Sequence, residues 1–299
     1  MKHKWHLHTI YISLLFLLLA LYKNHFLVIP EVHSTLKVII SFVLLFIGFV
    51  LSAISQQRFL TKGSFHISIL QSIAMVGLNI FTKYIPGKVM TVMGKALHLS
   101  ETKGYPVLPL SVLFLKIQII TLWCGMMLAI FGLFFHHAMI RFSWIGLSLF
   151  CILSIVIFSQ SMNDLCTRML AKVLRKPLAL PNISIGDTIR SIHWFAGTWL
   201  LWGFAFYFLV GGLSENYISL PIIFCFPFAG TIGIIALFSP GGIGIRESII
   251  VGYLTSLNVD LPIAITLSAV SRIWFLIGEC FIFMLGYWCR KYYEKSKHA

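Results

Sequence analysis

The 299-residue chain is 59% hydrophobic and 11% charged, with a mean hydropathy of +0.92. Soluble domains carry about 25% charged residues, so this composition excludes a water-soluble globule and points to lipid as the solvent. The net charge of +14, from 23 Lys and Arg against 9 Asp and Glu, is scattered over short loops. That excludes a nucleic-acid groove and fits the loop-charge bias of a polytopic membrane protein, with contact to anionic headgroups as the sharper reading.

A spanning helix needs about 20 mostly apolar residues. The first candidate is 7–29, preceded by Met1-Lys2-His3-Lys4-Trp5; no small-residue cleavage site follows, so an uncleaved helix is expected. The second is 36–56, ended by Gln56, Gln57, Arg58 and Lys62. The stretch 64–82 is apolar but dotted with His66, Gln71 and Asn79, and stops at Lys83-Tyr84-Ile85-Pro86-Gly87-Lys88. The next piece, 89–99, is too short to span. A third span is expected at 107–135, with Lys116 inside it, and a fourth at 142–162. The loop 163–190 follows; part of 163–176 reads as an amphipathic interfacial helix. The fifth span is 191–213. Segment 217–238 runs into a second break, Ser239-Pro240-Gly241-Gly242, and 243–257 leaves it. The sixth span is 261–288, with Arg272 and Glu279 buried in its sequence.

The expected fold is therefore all-α and polytopic: one membrane domain over 1–299, with about six spanning helices. The short segments 64–99 and 217–257 read as re-entrant helical hairpins. With the N-terminus in the cytoplasm, most Lys and Arg collect on the inner side, and only Lys23, Lys37 and Arg141 lie outside. Both termini are then cytoplasmic, as is the loop 163–190. The hairpins dip in from opposite sides, and repeats 36–135 and 191–288 are inverted, with broken helices in matching positions. The assignment in which 217–257 spans twice and 64–82 once remains an alternative on hydropathy.

A hairpin tip in the membrane survives only where protein or a polar cavity surrounds its backbone. A helix restarting after each Pro-Gly presents free N–H groups and a positive dipole end, suited to an anion. Lys88 and Arg246 fall in those first turns and add full charge, which favours phosphate over a metal or a cation. The candidate binding residues are Pro86, Gly87, Lys88, Pro240, Gly241, Gly242, Gly244, Arg246, Glu247 and Arg272. Glu247 has three readings: a brace for Arg246, a helix-start carboxylate or a protonatable coupling group, with Arg272 as another partner. Lys116 and Glu279 read as a structural pair at similar depth, and Lys83 as interfacial. The six cysteines form no Cys-x-x-Cys pair, so neither disulfides nor zinc is expected, and no cofactor is. Walker, Gly-x-Ser-x-Gly, His-Glu-x-x-His and Asp-rich motifs are absent, so an enzyme is not expected.

Pro240-Gly241-Gly242-Ile243-Gly244-Ile245-Arg246-Glu247 resembles the Pro-Gly-Gly-x-Gly-x-x-Glu element of the lysylphosphatidylglycerol synthase transmembrane-region family. Pro86-Gly87-Lys88 resembles that family's Pro-x-Lys/Arg element, and Ser271-Arg272-Ile273-Trp274 is similar to its Arg-bearing last core helix. Arg246 departs from the pattern, in which an apolar or aromatic residue commonly precedes the Glu. The resemblance covers segments two to six and implies a flippase-like carrier in a bacterial inner membrane. Its substrate would be a phosphate-bearing lipid, either an anionic phospholipid or a polyprenyl-phosphate-linked lipid. A synthetase domain, and so aminoacyl transfer, is not expected. The alternative is an accessory subunit scaffolding a surface-glycan or lipid-modifying enzyme. Partners compatible with these readings are a membrane lipid, a second copy of the chain and such an enzyme.

Overall fold

The computed structural model describes residues 31–84, 89–134, 140–159, 183–214, 219–236 and 239–298. Among them there is no strand. The elements are α1 (Thr35–Lys62), α2 (Ile69–Leu78), a 3-10 turn (Ile80–Tyr84), α3 (Val89–Lys103), α4 (Val107–Phe134), α5 (Ile140–Phe158) and α6 (Ile185–Leu213). There follow a 3-10 turn (Leu220–Phe224), α7 (Cys225–Ile235), a 3-10 turn (Pro240–Gly242), α8 (Ile245–Ser256) and α9 (Leu261–His298).

Four helices, α1, α4, α6 and α9, are long and apolar enough to cross a membrane, which fits a helical membrane protein. At ~1.5 Å per residue, helices of this length reach ~40 Å, more than a ~30 Å hydrocarbon core. Of the other expected spans, 7–29 lies outside the described residues, and 142–162 corresponds to the shorter α5. The interfacial helix expected at 163–176 also lies outside the described residues. Several helices outrun their apolar stretches. α1 continues through Gln56, Gln57 and Arg58 to Lys62, and α9 runs to His298. Lys, Arg, Gln and Glu end a hydropathy peak but are good helix formers, so the helix carries on past its apolar stretch.

α1 and α6 lie antiparallel along their length. At one end the backbone N–H groups of His33 and Ser34 donate to Gly212 O, and at the other Lys62 Nζ sits 3.0 Å from Asp187 Oδ1. The first broken segment starts and finishes at this second end. Tyr105 Oη donates to His66 O at 3.1 Å, and its ring meets Phe65 edge-on. The C-terminal part of α9 is there too, with Lys103 Nζ over the Tyr293 ring. The second broken segment starts at the opposite end of α6. Its own ends are tied by Tyr253 Oη donating to Pro221 O at 2.9 Å. The order long helix, short helix, break, short helix, long helix therefore occurs twice, rooted at opposite ends of α6.

Each short entry helix crosses to the other half of the chain. α2 packs on α9, and α7 packs on α4. The α2–α9 crossing depends on glycine: a Cβ on Gly77 would stand 2.2 Å from Ile282 O, and Gly286 lies opposite. At the centre, Phe49 (α1), Trp202 (α6), Phe226 (α7) and Phe275 (α9) form one aromatic cluster, with linked ring centroids 5.0–5.4 Å apart.

Candidate anion site where the two breaks meet

The two chain breaks touch. Gly241 lies against Tyr84 so closely that a Cβ would come within 2.6 Å of the tyrosine ring. Gly241, Gly242 and Gly244 all have positive φ, which L-residues with a Cβ rarely adopt, so this Pro-Gly-Gly-x-Gly run can turn the chain tightly there. The turn sends the Gly241 carbonyl to Arg272, whose Nη1 donates to it at 3.0 Å. Residues 85–88, which include Pro86, Gly87 and Lys88, lie outside the described residues.

α8 starts at this turn, and its first two charged residues diverge. Glu247 Oε2 accepts from Gly244 N at 2.6 Å, capping its own helix, and its Oε1 lies 3.6 Å from Arg272 Nη1. Of the three readings of Glu247, the geometry realises the helix-start carboxylate and adds Arg272 as its ion partner; it does not brace Arg246. Ser268 Oγ donates to Glu247 O and holds this first turn on α9.

Arg246 turns inward instead. It is only 6% exposed, with Cζ 4.4 Å from the Phe226 centroid and 4.7 Å from that of Phe275. Those contacts are cation–π in kind, but they satisfy none of its N–H groups. Its Nε and Nη2 have no hydrogen-bond partner among the described residues, and neither does Nη2 of Arg272, itself 4% exposed. Removing a charge from water without pairing it is expensive, and the cost rises for every donor left empty.

α9 contributes the other side of the site. Arg272, Phe275 and Glu279 stand at i, i+3 and i+7, so they share one helix face. Glu279, at 1% exposure, is the deepest carboxylate there. The expected Lys116–Glu279 pair does not form. Glu279 Oε1 instead takes Lys83 Nζ at 2.5 Å, and its Oε2 accepts from Tyr84 Oη at 2.8 Å. The reason is azimuth: α2 and its 3-10 turn pack directly on α9 and bring Lys83 onto Glu279, whereas Lys116 lies half-buried on α4. Lys83 thus joins the candidate site through Glu279. Its Nζ also lies 5.1 Å from the Phe275 centroid and 5.6 Å from that of Tyr84. Phe275 therefore has Arg246 and Lys83 both within cation–π distance.

The structure brings together Gly241, Gly242, Gly244, Arg246, Glu247 and Arg272 from the sequence-predicted set, with Glu279 in a new pairing. It adds Lys83, Tyr84, Phe226 and Phe275. The i, i+3, i+7 spacing of Arg272, Phe275 and Glu279 is the signal that points to Phe275; the role of Lys83 has no local signal. Comparisons with protein-family models, with curated proteins and with solved structures found no match to this chain.

Proposed function

We propose that the chain is a lipid-translocating membrane transporter, and that the meeting point of its two breaks binds the phosphate of a lipid headgroup. The observation that carries this reading is Arg246, almost fully buried with Nε and Nη2 unpaired. A buried guanidinium with empty donors suits a bidentate oxyanion. The doubled element order supports an inverted repeat, in which the two broken segments are re-entrant hairpins and the site lies near the bilayer midplane. The gathering of Lys62, Lys103, Arg290, Lys291 and Lys295 at one end of the bundle supports placing that end in the cytoplasm of a bacterial inner membrane. The resemblance of Pro240 to Glu247 to the lysylphosphatidylglycerol synthase transmembrane region points to the same activity. In this reading the headgroup crosses the protein between the hairpins while the tails stay in lipid.

The test is leaflet exchange. Vesicles carrying the purified chain and a trace of head-labelled anionic lipid are treated with an impermeant quencher. Wild type should expose the inner-leaflet pool faster than protein-free vesicles, and Arg246→Gln should abolish the gain while the protein still folds. If wild type moves no anionic lipid faster than protein-free vesicles, the proposal is wrong.

A further inference from the structure

Arg272 is held from two sides and open on a third. Its Nη1 donates to Gly241 O at 3.0 Å and lies 3.6 Å from Glu247 Oε1, while Nη2 has no partner among the described residues. At 3.6 Å the Glu247 contact is an ion pair without a hydrogen bond. The Glu247 side chain is 25% exposed and that of Arg272 4%, so the carboxylate is the outer partner and the guanidinium the inner one. Arg246 lies over Phe275, one turn along α9 from Arg272. Its empty Nε and Nη2 form one edge of the guanidinium, the kind of edge that grips an oxyanion with two parallel bonds. An anion that took this edge together with Arg272 Nη2 would meet a guanidinium already engaged by Glu247.

Among the described residues, the other titratable groups around Glu247 are engaged elsewhere. Arg246, the residue before it, turns into the aromatic cluster. On α7 the titratable residue is Cys225, and the turn Pro240–Gly242 carries none. Tyr253, near the far end of α8, donates to Pro221 O. On α9, Glu279 stands two turns beyond Arg272 and takes Lys83 and Tyr84, and Asp260 precedes the first turn of that helix.

Resting on the reading of this place as a headgroup site, we infer that Glu247 is its resident counterion: the carboxylate neutralises Arg272 while the site is empty, and an arriving anion takes its place as Glu247 picks up a proton. A phosphate oxygen on Arg272 Nη2 would stand one guanidinium away from an ionised carboxylate, and like charges that close repel strongly in a low-dielectric interior. Protonation removes the repulsion and frees Arg272. The neutral carboxyl can still accept from Gly244 N, so α8 keeps its cap. The proton comes from the medium on the open side of the pair, one for each anion bound. Glu247 is a positioning residue, acting on the ligand through Arg272 without touching it.

The test uses the full chain in neutral detergent micelles. Dihexanoyl phosphatidylglycerol, a phosphodiester whose single charge stays fixed over the range used, is titrated by calorimetry from about pH 8 down to about pH 5, toward the range where carboxylates take up protons. Wild type should bind several-fold tighter as pH falls. Glu247→Gln, an uncharged mimic of the protonated acid that keeps an acceptor for Gly244 N, should bind at least about tenfold tighter than wild type at about pH 8 and lose the pH dependence. Runs in two buffers of different ionisation enthalpy should show proton uptake on binding by wild type at about pH 5, and none by the variant. Equal or weaker binding by Glu247→Gln, a pH dependence that survives in it, or wild-type binding without proton uptake would overturn the inference; the wild-type uptake decides it even if the variant misfolds. Failure of both proteins to bind, or Arg246→Gln binding as well as wild type, would overturn the headgroup reading itself. Deacylated glycerophosphoglycerol, which carries the same charge, binding as tightly as the lipid would overturn the lipid as the source and point to a soluble phosphodiester.

Discussion

Glu279 and Lys83 offer the sharpest check on how the bundle is held together. Their 2.5 Å contact joins residues 196 apart in sequence and pins the first break to α9. At an effective dielectric of about 20 the gross attraction at that distance is ~7 kcal/mol, most of it offset by desolvation. Truncating one partner of a buried pair costs about 3–5 kcal/mol, because the other charge stays behind. The two ends are unequal: Glu279 is 2% exposed as a side chain and Lys83 26%. Lys83→Met should therefore fall near the top of that range, and Glu279→Leu near the bottom, since a stranded lysine can turn toward water. The double variant Lys83→Met/Glu279→Leu should recover most of this loss, because no charge is left stranded, and cost about 1–3 kcal/mol for the Tyr84 hydroxyl that loses its acceptor. Reversible unfolding in mixed micelles gives the cycle, and single costs of ~5 and ~3 kcal/mol against about 1–3 for the double put the expected coupling at about 5–7 kcal/mol. Lys116→Met with Glu279→Leu should instead be additive to within ~0.5 kcal/mol. Coupling through Lys116, or none through Lys83, would refute the pairing.

What the sequence revealed depended on whether the deciding physics was local. Pro240-Gly241-Gly242 stops a helix wherever it stands, because proline lacks a donor and the glycines take positive φ. The break and the short helices flanking it were readable for that reason. Arg272 was readable from cost alone, as a cation deep in an apolar run. Lys116 as the partner of Glu279 failed because hydropathy gives depth and carries no azimuth; which helix faces Glu279 is settled by the Gly77–Gly286 crossing of α2 on α9. Lys95, counted by loop charge among the cytoplasmic cations, donates to the buried Gln56 of α1, an acceptor its own segment does not supply. Of the readings of Glu247, the helix-start carboxylate is realised, and its ion partner is the distant Arg272 and not the adjacent Arg246, which points to the other side of the helix start.

Three further perturbations test the packing. Gly77→Ala puts a methyl 2.2 Å from the Ile282 carbonyl oxygen, where neither backbone can yield, so unfolding should show a loss at or above the ~1–3 kcal/mol typical of overpacking. Trp123→Phe deletes the 2.7 Å bond from Nε1 to Ser154 Oγ that joins α4 to α5, and should cost about 1 kcal/mol in the same assay. The contact between the two breaks is tested by comparing two glycines. Gly244 has φ +84 with open space around its Cβ position, so Gly244→Ala adds only backbone strain, about 1–3 kcal/mol. Gly241 has φ +62, and its added Cβ would lie 2.6 Å from the Tyr84 ring and 3.1 Å from Arg272 Nη2. Gly241→Ala should cost about 1–2 kcal/mol for the left-handed conformation, plus the displacement of Tyr84 from Glu279. In a Tyr84→Ala background the second part has already been lost. Gly241→Ala should then keep only its backbone strain and the 3.1 Å contact with Arg272 Nη2, while Gly244→Ala should keep its full cost. If Gly241→Ala and Tyr84→Ala add to within ~0.5 kcal/mol, the breaks do not touch in the folded protein, and a shared site between them has no foundation.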